Sequence, residues 1–220
     1  MTTNTDRGAS GRGRPGSPAS RLYCFGLLLL LCLPAAYADE LHPAMALVQQ
    51  TTEQMLARLR SERDLLKQEK GRVNRLVEEI VLPHFDFDSM SASVLGKYWR
   101  TADADQRQRF RAAFKSLLLR TYAYSLVDNM DREIDFEPMR EQPNAADVTV
   151  RTTIPQDAGF PIPINYSLEL IDGAWKVYDV EIDGLSLVKN YRSSFAKDID
   201  QNGLEHLIET LESRNKDAIS

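Results

Sequence analysis

Apolar residues in the first half of the chain recur at helical spacing. Val48, Met55 and Leu59 share one face between His42 and Arg63, leaving Glu53, Arg58 and Glu62 for water. Gly71 interrupts this run. Val73, Leu76, Val77, Ile80 and Val81 form a second stripe that Pro83 stops, because proline has no amide proton to continue a helix. After the link "HFDFD", Ser89 or Asp88 is expected to cap a third short helix carrying Met90, Val94 and Leu95, with Gly96 at its end. Asp103 followed by Gln106 has the spacing of a capping box. It opens a long helix through Phe110, Phe114, Leu117, Leu118 and Tyr122 to about Met130.

The period then changes from helical to alternating. In "ADVTVRTTI", Val148, Val150, Thr152 and Ile154 alternate with residues of the other face, and "IPINYSLEL" sets Ile162, Ile164, Tyr166, Leu168 and Leu170 on one face. Asp172-Gly173 turns the chain into a further strand, Ala174 to Ile182. A two-residue loop would pair Ile164 with Glu181. A three-residue loop pairs Ile164 with Val180 and Tyr166 with Tyr178, which keeps apolar residues together and is the expected register. A fourth strand is expected around Arg132 to Met139, and Pro161 and Pro163 belong at a strand start or edge. Two helices close the chain, one on Leu187, Val188, Tyr191 and Phe195, the other on Leu204, Leu207, Ile208 and Leu211. Helices, then antiparallel strands, then helices predict an α+β fold. Its helices are expected to pack on a curved sheet, giving a cone-like shape that resembles the NTF2-like fold, with an internal apolar cavity.

The first 38 residues stand outside this pattern. Arg7, Arg12, Arg14 and Arg21 precede the apolar block "LYCFGLLLLLCL" and then "AYA", the three-part pattern of a secretory signal with cleavage after Ala38. The block falls short of the roughly 20 residues that span a bilayer. Residues 39–220 are then expected to form a single domain. Both cysteines, Cys24 and Cys32, lie in the leader, so the exported chain is no disulfide scaffold. Losing the leader lowers Lys+Arg from 27 to 23 and Asp+Glu from 32 to 31, a net charge of −8. Such an acidic chain is a poor partner for nucleic acid, and none is expected.

Catalytic motifs are scarce. His42, His84 and His206 have no metal-ligand spacing, and the chain contains no HExxH, no Gly-x-Ser-x-Gly and no phosphate-cradling GxxxxGK[ST]. "DIDQNGLEHLIE", Asp198 to Glu209, matches the letters of a calcium loop. Glu205 sits at its normally apolar position, and an amphipathic helix capped by Asn202 or Asp200 explains the same residues. No metal or other cofactor is expected. Asp86 and Asp88 could pair as acid and base, but an extended link whose carboxylates face water and cap the next helix accounts for both.

Several blocks carry a family likeness. "VLPHFDFDSMSASVLGKYWR", "DQRQRFRAAFKSLLLRTYAYSL", "WKVYDVEIDGLSLVKNYRSSF" and "NGLEHLIETL" together closely resemble the MlaC, or toluene-tolerance, family, from about Met45 to Leu211. The resemblance implies a periplasmic carrier of the Gram-negative lipid-asymmetry system. It also implies phospholipid as ligand, with an inner-membrane ABC transporter complex and an outer-membrane lipoprotein-porin complex as partners. Two acyl chains of about 15 methylenes gain roughly 24 kcal/mol over water. A bilayer supplies nearly the same, so such a cavity needs only to match the membrane.

On this resemblance the lipid-binding residues would be Val81, Phe85, Phe87, Leu95, Tyr98, Trp99, Phe114, Leu118, Tyr122, Val150, Ile164 and Tyr166, with Tyr178, Val180 and Ile182 as strand wall. Leu187, Val188, Tyr191 and Phe195 would close over them. Each taken singly also reads as ordinary core. Two other classes compete: an enzyme on the same scaffold with a cavity carboxylate such as Asp179, and an interaction protein with a filled core.

Overall fold

The computed structural model describes residues 41–69, 71–142 and 144–217. The expected leader lies outside them. Helix α1, Pro43–Ser61, starts with proline at its first position, where no amide bond is lost, and His42 Nδ1 accepts from the Ala44 amide. Glu62 separates it from α2, Arg63–Gln68, and receives the guanidinium groups of both Arg58 and Arg72. Those bonds hold its carboxyl down at about 2. Gly71, with φ of 84°, turns the chain into α3, Arg72–Ile80. A 3-10 turn, Leu82–His84, then leads to α4, Phe87–Leu95.

Asp86, rather than Asp88 or Ser89, caps α4, accepting from the amides of Asp88 and Ser89. The helix starts one turn earlier than its apolar stripe, because Phe87 already packs inward. Gly96 ends it at φ 55°, ψ −115°, and the short α5, Lys97–Thr101, follows. A Cβ at Gly96 would meet the Arg192 guanidinium at 3.0 to 3.2 Å. Gly96→Ala therefore combines this crowding with backbone strain, and a loss of about 1 to 3 kcal/mol is expected in chemical denaturation. The long helix α6, Ala104–Asp128, opens with the expected capping box between Asp103 and Gln106.

The sheet is antiparallel throughout, in the order β1 (Asp135–Phe136), β2 (Asp147–Ile154), β3 (Ile162–Ile171), β4 (Ala174–Ile182), β5 (Leu185–Ser186). Pro163 is the second residue of β3, near its start as expected.

The β3–β4 register differs from both sequence alternatives. Asp172 and Gly173, at φ 48° and 81°, form a two-residue turn with both central residues left-handed, so Ile171 faces Ala174 and Leu168 faces Val177. Tyr178 is then an extra residue, a β-bulge, and beyond it Tyr166 pairs with Val180 and Ile164 with Ile182. The bulge restores apolar pairing that the short turn alone would lose. It also turns Tyr178 off the concave face, where its hydroxyl donates to Asp147.

Helices α7, Leu187–Asn202, and α8, Leu204–Asp217, complete the fold. Asp198, Asp200 and Asn202 all lie within α7, and Gly203 alone separates the helices, so neither Asp200 nor Asn202 caps α8. The calcium-like stretch is helix, break, helix. Asp200 accepts from Tyr98, Asn202 bonds Asp198, and Glu205 pairs with Arg109.

Candidate functional site

Two hydrophobic clusters divide the interior. The larger joins the concave sheet face to α4, α6, α7 and α8, through Val148, Val150, Leu168, Phe110, Phe114 and Phe195. The smaller joins the C-terminal half of α1 to α3 and the end of α6, through Met55, Leu59, Leu76, Val77 and Ala123. Between them runs a cavity of about 230 Å³. A void of about 150 Å³ already accommodates benzene when its walls are apolar.

The wall is made in layers. The sheet contributes Ile154, Ile164, Tyr166, Val177, Val180 and Ile182; α1 contributes Leu47, Val48, Thr51, Thr52, Met55 and Leu56. The end of α3 and the turn after it supply Val77, Val81, Leu82, His84 and Phe85, and α6 supplies Leu118, Leu119, Tyr122, Ala123, Ser125 and Leu126. Phe87, Ile134 and Leu187 complete it. Ile164 and Tyr166 stand on the concave face yet stay half-exposed, so their free surface looks into the cavity. Among the described residues of the lining Ser125 alone is exposed, and Ile134, which leads into β1 beside Thr153, lies near the end of β2 at Ile154; we take this end as the mouth.

The lining carries no carboxylate and no lysine or arginine among the described residues. Burial pushes the Tyr166 phenol up to about 12, and burial with the neighbouring Tyr191 hydroxyl does the same for Tyr122. Burial first, and Lys176 second, lower the pKa of His84. The wall is therefore uncharged at neutral pH. It offers apolar surface, with Thr51, Thr52 and Ser125 as neutral polar groups.

Of the residues the sequence singled out, Val81, Phe85, Phe87, Leu118, Tyr122, Ile164, Tyr166, Val180, Ile182 and Leu187 line this cavity. Leu95, Phe114, Val150, Val188 and Phe195 are fully packed in the larger cluster, and Tyr98, Trp99 and Tyr191 pack on its edge. Phe114, Tyr191 and Phe195 meet edge-to-face or tilted, at 5.4 to 6.3 Å between ring centres, and fill the space between α6 and α7. Tyr98 reaches Asp200, and Trp99 carries the Arg107 guanidinium at 5.3 Å. Tyr178, the bulge residue, is turned off the concave face, and Val177 takes its place in the wall.

Asp179 does not point into the cavity either. Paired with Ser167 on the convex side, its carboxylate accepts from the amides of Val180 and Val188 and from the Ser186 hydroxyl. Ser186 in turn caps α7 by accepting from Lys189. The carboxylate that an enzyme would have used ties strand to helix.

The family model described as MlaC protein matches residues 49–213. This chain belongs to the MlaC family. It is 30% identical over 180 residues to the toluene tolerance protein ttg2D of Pseudomonas putida, covering 81% of this chain and 83% of that one. It is 25% identical over 165 residues to the intermembrane phospholipid transport system binding protein MlaC of Haemophilus influenzae, covering 74% and 77%. The solved structure of a phospholipid-binding protein from Ralstonia solanacearum, in complex with a phospholipid, superimposes with a TM-score of 0.74. It has 32% identity and covers 80% of this chain and 99% of that one. The MlaC resemblance read from the sequence and the α+β fold are both borne out.

Sequence reasoning missed the α1 wall of this MlaC-family cavity. Leu47, Thr51 and Leu56 share the inner face with Val48 and Met55, which the helical stripe did identify. Threonine reads as polar in such a stripe, although a threonine methyl lines an apolar space well.

Proposed function

We propose that this chain is a lipid carrier that holds phospholipid acyl chains in the cavity between the sheet and α1, α3 and α6. The observation that carries the reading is an apolar cavity whose wall holds no carboxylate, lysine or arginine among the described residues. The Ralstonia relative, matched over nearly its whole length, supports it by holding a phospholipid. A carrier needs no cofactor and no reacting group. Its task is to give acyl chains an environment that matches the bilayer, so that lipid can be taken up and released. In this proposal the chain acts in the periplasm after cleavage behind Ala38. It exchanges lipid with an ABC transporter complex at the inner membrane and a lipoprotein-porin complex at the outer membrane, and so maintains lipid asymmetry. Among the described residues no helix is long and apolar enough to cross a membrane.

The test is direct. Protein exported to the periplasm of a Gram-negative host and purified without detergent is expected to begin at Asp39 by intact mass. Mass spectrometry of its organic extract should show phospholipid in stoichiometric amount. Protein that retains Leu22 to Leu33, or whose extract holds no lipid, would sink the proposal.

A further inference from the structure

At the end of β4 away from Ile182 lies a second recess of about 530 Å³, more open to solvent than the cavity. Pro43, Ala46 and Gln50 of α1 form one side of it, and Trp175 and Lys176 of β4 the other. Leu47 and His84 belong to both walls. Each is half-buried, with cavity on one side and recess on the other. These two side chains are the partition.

Both are held in place from behind. His84 ends the 3-10 turn whose Pro83 carbonyl accepts from Lys176 Nζ at 2.7 Å, which fastens the turn to the sheet at this point. Leu47 rides on α1, whose N-terminal end is set against the sheet by the His42 ring, 5.3 Å from Trp175. In the lipid-carrier reading, a chain entering near Ser125 would run towards these two side chains.

We infer that Leu47 and His84 set the length of acyl chain the cavity accepts, as the floor of the cavity and the barrier to the recess behind it. This rests on the lipid-carrier reading and adds a determinant of specificity to it. A methylene that finds no room inside loses about 0.8 kcal/mol of burial, a factor of about four in relative affinity. Opening the floor removes that penalty for long chains and leaves short chains unaffected. His84, kept towards its neutral form, places no charge in the path.

The experiment exchanges the purified protein against excess vesicles containing equal amounts of dimyristoyl- and distearoyl-phosphatidylcholine. Bound lipid is then extracted, and the ratio of long to short chains is measured by mass spectrometry. His84→Ala and Leu47→Ala are each expected to raise the ratio at least about four-fold, and Leu47→Trp to lower it. The ratio is read per bound lipid, so a change in total occupancy does not disguise the result. Equal ratios in wild type and both alanine variants would overturn the inference while leaving lipid carriage standing. Wild-type protein that takes up neither lipid would overturn both.

Discussion

Val180→Trp is expected to leave the stability of the protein nearly unchanged and largely strip it of lipid, whereas Val150→Trp lowers its melting temperature. The two valines occupy the same sheet face, and from the alternation alone they are equivalent. Their surroundings are not. Both are buried in the larger cluster, but Val150 is enclosed on all sides, while Val180 also borders the cavity. An indole forced into close-packed surroundings costs about 1 to 3 kcal/mol or more, which lowers Tm by roughly 2 to 4 °C for each kcal/mol in a domain of this size. At Val180 the same ring enters open space and displaces acyl chain instead. Displacing two methylenes already removes about 1.6 kcal/mol of burial, so bound lipid should fall about ten-fold or more. Thermal unfolding and lipid extraction on the same samples separate the cases. If Val180→Trp melts as early as Val150→Trp and keeps its lipid, the cavity is core and the proposal fails.

The fold was legible where local chemistry and burial agree. The Asp103–Gln106 box, the proline that stops α3 and the alternation of β2 each state in a few residues what the structure then does. The bulge at Tyr178 was harder, though its signal was present. Trp175 and Val177 occupy one phase of the alternation and Val180 and Ile182 the other, so an extra residue has to lie between. Reading Tyr178 as one more apolar residue of the second phase hid the shift. An amphipathic tyrosine satisfies either face, and here its hydroxyl finds Asp147 outside.

The site was legible as a surface and not as a volume. Periodicity identifies residues that face inward, and it brought Val180, Ile182 and Tyr122 to the wall together with Phe114 and Phe195, which the structure places in solid core. What separates the groups is whether a partner ring fills the opposite side. Phe110, Phe114, Tyr191 and Phe195 close on one another between α6 and α7, whereas Tyr166 and Ile164 face the seam between two clusters. That seam depends on how α1 and α3 stand away from the sheet. No stretch of the sequence encodes it locally.

Asp179→Ala is expected to cost about 2 to 4 kcal/mol of stability and to loosen the hold on lipid, although the side chain touches no part of the cavity. Its carboxylate accepts three bonds: from its neighbour Val180, from the Ser186 hydroxyl and, at 3.1 Å, from the Val188 amide in the first turn of α7. Bonds to a charged acceptor are each worth about 1.5 to 3 kcal/mol, and the loss of a helix cap about 0.5 to 2 kcal/mol. These terms overlap, because Ser186 still caps Lys189 after the substitution. The start of α7 also carries Leu187 into the cavity wall beside the end of β4, so releasing that turn loosens one edge of the mouth. Asp179→Asn keeps one carbonyl oxygen for the two amides and can turn its own amide towards the Ser186 oxygen. It should recover about half of the lost stability and most of the bound lipid. A catalytic carboxylate would give the reverse pattern, with intact stability in both variants and an activity lost in both. Urea denaturation with lipid extraction on the pair distinguishes a latch from a reacting group, and stability unchanged in Asp179→Ala would exclude the latch.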